Sequence, residues 1–415
     1  MPRLQTAEAF SRDPLGIMNA ASGRDSDVMR TGPAEYLLGD PLAARAVLRN
    51  AGGRYREHSD FFHTRHGLFE PREAQLKMRR EARELLRAHL RRCDADALSA
   101  LVAAEVSDMS DWPDTGNRLA RAALASLLLA PESPPQMHAL VGKLLVRAVF
   151  ANARARQPRW RRMLLQFETT WRLCREIELR QRLARTQPLD LLDVVANAIE
   201  PGQRIDELAE VYLSFLFAIA GSVGFVLGWS LYLACSHRDR AAPSAWVVQE
   251  ALRLWPVAWQ LGRQPATAHE VSGTRVDADD EVVVCPYLVH RHPGYWSAPA
   301  EFRPERWSDP EAWRNPAFIP FGHGPHRCIA ADLSPSLIAA LFDAIALDRV
   351  LSIEVRDPRP TIAAAMAPPA FRLHRRIGRK SAESTSGDAR RAPAPRTGTG
   401  VAAVAAACPR SNAVP

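Results

Sequence analysis

The stretch Phe321-Gly-His-Gly324-Pro-His326-Arg-Cys328 is the most informative part of this 415-residue chain. Gly324 allows the backbone to turn sharply against a flat cofactor, and the ring of Phe321 can pack beside a sulfur atom. His326 adds positive charge. Cys328 is expected to open a helix, whose N–H groups and positive end favour the thiolate form. A lone cysteine is typical of a buried free thiol, but the whole pattern arises by chance in about one in a thousand chains of this length. It therefore indicates a thiolate ligand.

Two further motifs precede the cysteine. Glu250-Ala-Leu-Arg253 places a carboxylate and a guanidinium one helical turn apart, and by itself such a pair is usually solvated. Phe302-Arg-Pro-Glu-Arg306-Trp supplies another arginine. A buried carboxylate is tolerated when it is paired, and a glutamate held between two guanidinium groups meets that condition.

In their order along the chain, these motifs resemble those of the cytochrome P450 superfamily. The resemblance covers about residues 40–375 and implies heme b as the cofactor, with Cys328 as the sulfur ligand of the heme iron. It also implies that Glu250, Arg253 and Arg306 lock together beneath the heme. On these grounds the chain is identified as a bacterial-type heme-thiolate enzyme.

Further residues correspond to heme-binding positions of that family. Arg263 lies where the family has an arginine for a heme propionate, and Arg79 lies on a helix that supplies another, with Gln75 at a position usually held by His or Trp. His326 adds a third cation near the propionates. Arg79 has an alternative interpretation as part of a basic, solvated helix face, because the surrounding stretch is rich in arginine.

The pattern of apolar residues predicts a mainly α-helical protein with small β-sheets. Apolar residues three and four apart predict helices at 74–92, 96–108, 159–185 and 189–199, and a valine run predicts a strand at 281–287. The resemblance implies a single-domain cytochrome P450 fold that encloses heme between a long central helix and the Cys328 loop.

Residues 211–235 contain no charged side chain and are long enough to cross a bilayer. The alternative is a helix that is apolar on all sides because it is buried on all sides. Serines and glycines interrupt the apolar surface of this stretch. The motifs favour burial, so no membrane association is predicted.

The resemblance places residues 220–224 at the bend of the central helix where dioxygen binds. Ala220 and Gly221 are small, which permits a bend. Val223 and Gly224 replace the acid and the alcohol that relay protons in the family. The predicted catalytic segment therefore has atypical proton delivery, through Ser222, ordered water or the substrate.

Two other features depart from the family pattern. Only 25 residues separate Gly224 from Glu250, so a helix usually present there is expected to be reduced or absent. After the cysteine, Ala330 stands where the family has glycine, and Pro335 enters the next helix early. Either the proline kinks that helix, or the ligand loop runs further before the helix begins.

The charge distribution divides the chain into two regions. Residues 376–415 carry seven basic and two acidic groups, which is +5 of the net charge of +8. Residues 1–375 are therefore nearly balanced and are expected to form the catalytic domain without binding nucleic acid. Residues 376–415 are predicted to be a disordered basic tail. Six widely spaced cysteines and the lack of an apolar leader favour the cytoplasm.

The substrate is expected to be a small molecule. The resemblance places aromatic side chains near the substrate pocket, although each could equally be a core residue. These are Phe61, Phe62, Phe69, Phe150, Trp160 and Phe167. Arginines at 154, 156, 159, 161 and 162 belong either to a solvated loop or to the entrance for an anionic or carrier-protein-bound substrate. The chain has no length for a reductase domain, so an external electron donor of the ferredoxin or flavodoxin type is expected.

The preferred function is that of a heme-thiolate monooxygenase or oxidase acting on a small, largely apolar metabolite, as in secondary metabolism. One alternative is a heme-thiolate enzyme that uses peroxide or rearranges its substrate without external electrons. Another is a heme-binding interaction protein without oxygenase activity. Val223 and Gly224 are the residues that keep both alternatives open.

Overall fold

The computed structural model describes residues 10, 12–21, 27–57, 61–150, 159–183, 185–198 and 203–377. The chain divides into a unit of residues Met1–Ile377 and a second unit, Gly378–Pro415, which lies outside the described residues. The last strand of the first unit runs to Ile377. Arg376 and Ile377 therefore belong to a strand and not to the predicted tail, and the remaining prediction for residues 378–415 falls outside the described part of the chain.

The fold is mainly α-helical, as the sequence predicts. The longer helices span Pro41–Arg49, Arg72–Leu90, Ala95–Glu105, Asp114–Ala123, Pro135–Phe150, Arg159–Leu183, Ile205–Ser236, Ser244–Leu254 and Ser334–Ala346. Shorter helices span Pro14–Ala21, Ala125–Leu128, Leu191–Ala196 and Pro286–Val289. Below, Arg72–Leu90 is called the basic helix, Ile205–Ser236 the central helix and Ser244–Leu254 the Glu250 helix.

Local chemistry explains several helix boundaries. The side chain of Asp94 accepts a hydrogen bond from the Ala97 N–H at 2.8 Å, and Asp190 accepts one from the Asp193 N–H at 2.8 Å, so both aspartates cap helix starts. The predicted strand at 281–287 ends earlier, at Val284. The reason is Pro286, which cannot donate to a β-ladder and instead starts a short helix.

The strands form small sheets. They are β1 (Val28–Gly32), β2 (Glu35–Leu38), β3 (His63–Thr64), β4 (Gly67–Leu68), β5 (Met109–Trp112), β6 (Leu261–Arg263), β7 (His269–Val271), β8 (Thr274–Val276), β9 (Glu281–Val284), β10 (Arg349–Val355), β11 (Thr361–Ile362), β12 (Met366–Ala367) and β13 (Phe371–Ile377). One sheet has the order β1-β2-β9-β6, in which β2 and β9 are parallel. A second has the order β10-β13-β5 and is antiparallel. The remaining pairs are two-stranded.

The central helix passes through the main hydrophobic core. It contacts the helices Asp114–Ala123, Arg159–Leu183, Ser244–Leu254 and Ser334–Ala346. Within the described ranges, it is the one helix that is long and apolar enough to cross a membrane. In its most apolar 18-residue segment, 53% is buried in the protein. Its neighbours on several sides account for its apolar character, which agrees with the predicted core helix.

Candidate cofactor site

The Cys328 loop is shaped by two glycines. Gly322 and Gly324 have φ angles of +70° and +75°, which side chains disfavour. A β-carbon on Gly324 would lie 2.8 Å from the Cα of Arg49 and 2.9 Å from the carbonyl oxygen of Leu48. The backbone N–H of Cys328 donates to the Phe321 carbonyl at 2.9 Å and closes the loop. Position 324 therefore requires glycine, because the backbone has a positive φ there and the neighbouring backbone leaves no room for a β-carbon.

The prediction that Cys328 opens a helix is wrong. The chain continues through turns after the cysteine, and the next helix begins at Ser334 with Pro335 in its first turn. A proline has no N–H to donate and is suited to that position, so it sets the start of the helix instead of kinking it. The longer ligand loop, one of the two outcomes considered for Pro335, is the one observed.

The Cys328 sulfur lies at a cavity of about 410 Å³ between its own loop and the basic helix. The residue is exposed toward this cavity. Surrounding protein nevertheless raises the pKa of the thiol through desolvation, whereas a backbone hydrogen bond from Ala330 and the charges of Arg79 and Arg327 lower it. Those three groups are the ones that favour a thiolate at this position.

The three side chains predicted to bind the heme propionates gather around the cysteine loop. Arg263 is 8% exposed. Arg79 donates through Nη2 to the carbonyl of Arg327 at 2.7 Å. Burial lowers the pKa of His326, the nearby charges of Arg263 and Arg79 lower it further, and the carboxylate of Glu57 opposes them. The structure thus brings Arg79, Arg263 and His326 into one electrostatic environment beside Cys328.

This donor set fits heme b. A cysteine sulfur is a suitable axial ligand for iron. Guanidinium forks match carboxylates such as the heme propionates. Cys328 would hold the iron, and Arg79, Arg263 and His326 would hold the propionates. The positively charged surroundings of the loop are what a dianionic cofactor requires.

Glu250 is fully buried and accepts hydrogen bonds from four residues. Its oxygens accept from Nε and Nη2 of Arg253 at 2.9 and 2.7 Å, and from Nε of Arg306 at 3.1 Å. The backbone N–H of Arg303 and the indole N–H of Trp307 donate at 2.9 and 3.0 Å. The structure therefore joins Glu250, Arg253 and Arg306 into one paired cluster, which satisfies the requirement for burying their charges.

Sequence reasoning did not assign three residues that complete these clusters. Trp307 donates to Glu250, and the ring of Trp296 lies 5.3 Å from the Arg253 guanidinium carbon and 5.5 Å from that of Arg306. Oε1 of Glu57 accepts a hydrogen bond from Nε2 of His326 at 2.9 Å. The adjacency of Trp307 to Arg306 was an available signal, whereas nothing local to Glu57 indicates its contact with a residue so far along the chain.

The segment 220–224 lies in an uninterrupted part of the central helix, so the bend that Ala220 and Gly221 would permit does not break the helix. The side chain of Ala220 is outside the described residues. Ser222 donates its hydroxyl to the Ala218 carbonyl at 2.7 Å. Val223 packs in the core, and Gly224 lies against Asn117 of the helix Asp114–Ala123. Positions 223 and 224 thus serve packing.

For two of the six aromatic residues, the structure favours the alternative of a core position. Phe62 and Phe69 are core residues with no exposed area, and Phe167 is 73% exposed on the outer side of its helix. Phe61 contacts Phe215 edge to face at 4.6 Å. The side chains of Phe150 and Trp160 are outside the described residues. The predicted arginine run also lies outside the described part of the chain: this holds for residues 154 and 156, and for the side chains at 159, 161 and 162.

The link between the central helix and the Glu250 helix is short, as expected. The central helix ends at Ser236, and the Glu250 helix begins at Ser244 after a turn around His237 and Arg240. Pro243 precedes the first helical residue, where its fixed φ suits a helix start. No intervening helix occupies this part of the described chain.

Comparison with known proteins agrees with the site geometry. A family model described as Cytochrome P450 matches residues 244–335, which include the Glu250 helix and the Cys328 loop. Cytochrome P450 3A5 of Homo sapiens is 34% identical over 149 residues, 30% of this chain and 30% of that protein. The first curated relatives are matched over only about a third of their length, for example 37% for Cytochrome P450 3A13 of Mus musculus.

Solved structures match over most of the chain. HmtN, described as a hydroxylase involved in himastatin biosynthesis, is 17% identical with a TM-score of 0.68, and the match covers 87% of this chain and 96% of that one. P450BioI in complex with an acyl carrier protein ligated to hexadec-9Z-enoic acid is 14% identical with a TM-score of 0.66, covering 88% and 100%. At these identities the matches show a common fold.

Proposed function

Because the chain belongs to the cytochrome P450 superfamily, we propose that it is a heme-thiolate monooxygenase acting on a small, largely apolar metabolite. The observation that carries the proposal is the convergence of Arg79, Arg263 and His326 on the loop that presents Cys328. The buried Glu250 cluster supports it, because that cluster anchors the chain between the Glu250 helix and the cysteine loop.

Each part of the site has a distinct task in this proposal. Heme b held by a thiolate supplies the activation of dioxygen and the cleavage of its O–O bond. Cys328 provides the sulfur, and the hydrogen bond from Ala330 supports its negative charge. Arg79 and Arg263 orient the cofactor through its carboxylates.

Proton delivery rests on few groups of the central helix. Val223 and Gly224 have no side chain that can carry a proton, and both face packed surfaces. The hydroxyl of Ser222 already donates to Ala218, so it would have to turn away from that carbonyl to take part in a relay. We therefore assign proton supply to Ser222, ordered water or an acidic group on the substrate.

The substrate assignment draws on the structural relatives. HmtN is described as a hydroxylase of himastatin biosynthesis, and P450BioI was solved with an acyl carrier protein. The first is consistent with a metabolite of secondary metabolism for this chain, and the second with a substrate bound to a carrier protein; a free, anionic substrate is the alternative. A cytoplasmic location belongs to the same proposal, because the longest apolar helix is a core element.

A basic surface beside the cysteine supports an external electron donor. Arg80 and Arg87 are exposed on the basic helix, and Arg83 and Arg327 both pair with Asp332 at the same cavity. Positive charge so close to Cys328 would attract an acidic ferredoxin or flavodoxin. A donor docked there would lie close to the residue that would hold the heme iron. This surface is the proposed docking site.

One observation favours a second candidate function. The positions that relay protons in the family are occupied by Val223 and Gly224, and here they are packing residues. An enzyme that takes its weak O–O bond from peroxide, or that rearranges its substrate, depends less on delivered protons and electrons. A heme-binding interaction protein without oxygenase activity is the third possibility and predicts no turnover at all.

Product analysis with the full-length, heme-loaded protein separates these functions. Indole, a medium-chain fatty acid and a monocyclic terpene serve as probes, first screened by the change in heme spin state that they cause. Each binder is then incubated with dioxygen and a ferredoxin reducing system, with peroxide alone, or with neither. A monooxygenase gives product in the first arm that carries one atom from labelled dioxygen. Product only with peroxide, or without any oxidant, would establish the second candidate, and binding without product in any arm would favour the third.

A further inference from the structure

Arg291 is a buried cation without a carboxylate partner among the residues that the structure describes. It is 7% exposed. Its guanidinium carbon lies 3.7 Å from the centre of the Tyr287 ring and 5.3 Å from that of Trp255. Its one hydrogen bond within the described chain runs from Nη1 to the Tyr287 carbonyl at 3.5 Å. Burial lowers the pKa of Arg291 to about 10, so it is charged at neutral pH.

The nearest buried acid cannot neutralise Arg291. Glu250 already pairs with Arg253 and Arg306, which leaves this interior region with more positive than negative charge. The two aromatic faces stabilise the guanidinium partly, since cation–π contacts contribute about 0.5–2 kcal/mol each. An unpaired buried charge costs more than that, and proteins normally compensate it with a counter-ion.

Arg291 lines a cavity of about 420 Å³, a volume typical of small-molecule sites. The cavity lies between the end of the central helix and the end of the Glu250 helix, where the short link after Ser236 leaves space. Leu233, Trp255 and Phe302 form apolar walls. His237 and Arg240 also line the cavity.

The acidic groups at this cavity do not compete with a ligand for Arg291. Arg240 lies 3.6 Å from Glu301 and 3.7 Å from Glu305, whose side chains are 58% and 52% exposed. These carboxylates are therefore solvated at the rim. The two helix C-termini disfavour an anion through partial charges of about half a unit each. The full charge of Arg291 offsets them, whereas Arg240 is already paired with Glu301 and Glu305.

We propose that this cavity is a binding site for a small organic carboxylate. The carboxylate pairs with the guanidinium of Arg291, and the apolar body of the ligand packs against Trp255 and Phe302. The fork geometry of arginine and the apolar walls together select an organic carboxylate over an inorganic anion. The site is separate from Cys328 and does not depend on the proposed monooxygenase function.

Calorimetric titration of the full-length, heme-loaded protein tests the proposal. The probes are benzoate, its neutral analogue benzamide and inorganic phosphate. We expect benzoate to bind at least tenfold more tightly than either analogue and to raise the melting temperature. Arg291→Met should weaken benzoate binding by tenfold or more, and Arg291→Lys should weaken it less. Arg238→Gln is the matched control, because Arg238 is exposed near the same helix end and donates to the Leu351 carbonyl outside the cavity.

Several results would overturn this site. Equal binding of benzoate and benzamide would remove the role of the charge, and phosphate binding as tight as benzoate would remove the organic ligand. Undiminished benzoate binding to folded Arg291→Met would place the ligand elsewhere, including near the heme. If the Arg291 variants do not fold, Arg240→Gln and Phe302→Leu still test the cavity, and unchanged benzoate affinity in both would contradict the proposal.

Discussion

The Cα of Gly224 lies directly against the backbone of Asn117. A β-carbon at position 224 would be 2.7 Å from the Asn117 nitrogen and 2.8 Å from its Cα. Asn117 is 4% exposed, and its side-chain oxygen has no hydrogen-bond partner within the described part of the chain. The glycine is therefore a spacer that sets the distance between the central helix and the helix Asp114–Ala123.

Gly224→Ala is expected to destabilise the protein by about 1–3 kcal/mol, because the added methyl group meets backbone that cannot move independently. The measurement is the free energy of unfolding in denaturant. Gly221→Ala is the matched control, since the nearest atoms to its β-carbon would be those of the Phe225 ring, at 3.2 Å or more. If both variants lose the same small amount, the helix contact at position 224 is less rigid than the structure implies.

Cys328→Ala is expected to remove the thiolate signature of the bound heme. In the proposed function the sulfur of Cys328 is the axial ligand of the heme iron, and Arg79 and Arg327 favour its thiolate form. Wild-type protein, reduced and treated with carbon monoxide, should show the strongly red-shifted absorption of a thiolate-ligated heme. Cys93→Ala is the control, because that cysteine lies beside His89 at the other end of the basic helix. A histidine-type spectrum in fresh wild-type protein would refute the assignment.

Glu250→Gln is expected to cost about 3–5 kcal/mol and to reduce heme retention, because it leaves Arg253 buried without a counter-charge. Heme content after purification and the melting temperature are the measurements. Glu311→Gln removes an exposed carboxylate that pairs with Arg314, and it should change neither value appreciably. A stable, heme-loaded Glu250→Gln protein would show that the cluster does not need its negative charge.

The buried imidazole of His290 is expected to make the protein less stable in mild acid. It is fully buried, its Nε2 accepts from the Ile319 N–H at 2.9 Å, and Nδ1 lies 3.1 Å from the Arg253 carbonyl. Burial lowers its pKa from 6.5 to about 3. Between these values the unfolded chain binds a proton that the folded chain does not, so stability is complete above pH 6.5 and falls as the pH decreases toward 3.

The expected slope for His290 is up to about 1.4 kcal/mol per pH unit. Unfolding free energies measured from pH 7.5 downward test it, with His290→Asn flattening the acid limb. The exposed residue His138, changed to Gln, should leave the slope unaltered. An unchanged slope in His290→Asn would assign the acid sensitivity to other groups.

The double variant Arg80→Gln with Arg87→Gln is expected to slow reduction of the heme by an acidic ferredoxin on the order of tenfold. Both arginines are exposed at the cavity that holds Cys328. The effect should shrink at high salt, because exposed charges are screened. Reduction by dithionite should be unaffected, and Arg356→Gln with Arg359→Gln supplies a control of equal charge elsewhere. Equal ferredoxin rates for the two double variants would exclude this face as the docking site.

Much of the site could be predicted from the sequence because its determinants are local. Gly324 and Cys328, and likewise Glu250 and Arg253, are close together in the sequence and form short motifs. The apolar run of the central helix predicted a core helix. The fold class followed from the same motifs and is confirmed by the structural relatives.

Other features could not be predicted because they depend on contacts between distant parts of the chain. The residue types at 223 and 224 predicted atypical proton delivery, but only the packing shows that Gly224 lies against Asn117. Glu57 reaches His326 from a different region of the sequence. Phe62 and Phe69 are of a residue type that often lines substrate pockets, but neighbouring side chains bury both of them completely.

The contact between Gly324 and the end of the helix Pro41–Arg49 has a consequence for the order of biosynthesis. At about 5–20 residues per second, the ribosome produces Gly324 roughly a quarter of a minute to a minute after Arg49. The core that holds this helix also includes late residues such as Val282 and Ile319, so it is completed only shortly before the ligand loop is made. The cysteine reaches its position only when most of the folded unit has been synthesised, so a cofactor held by Cys328 would be captured late.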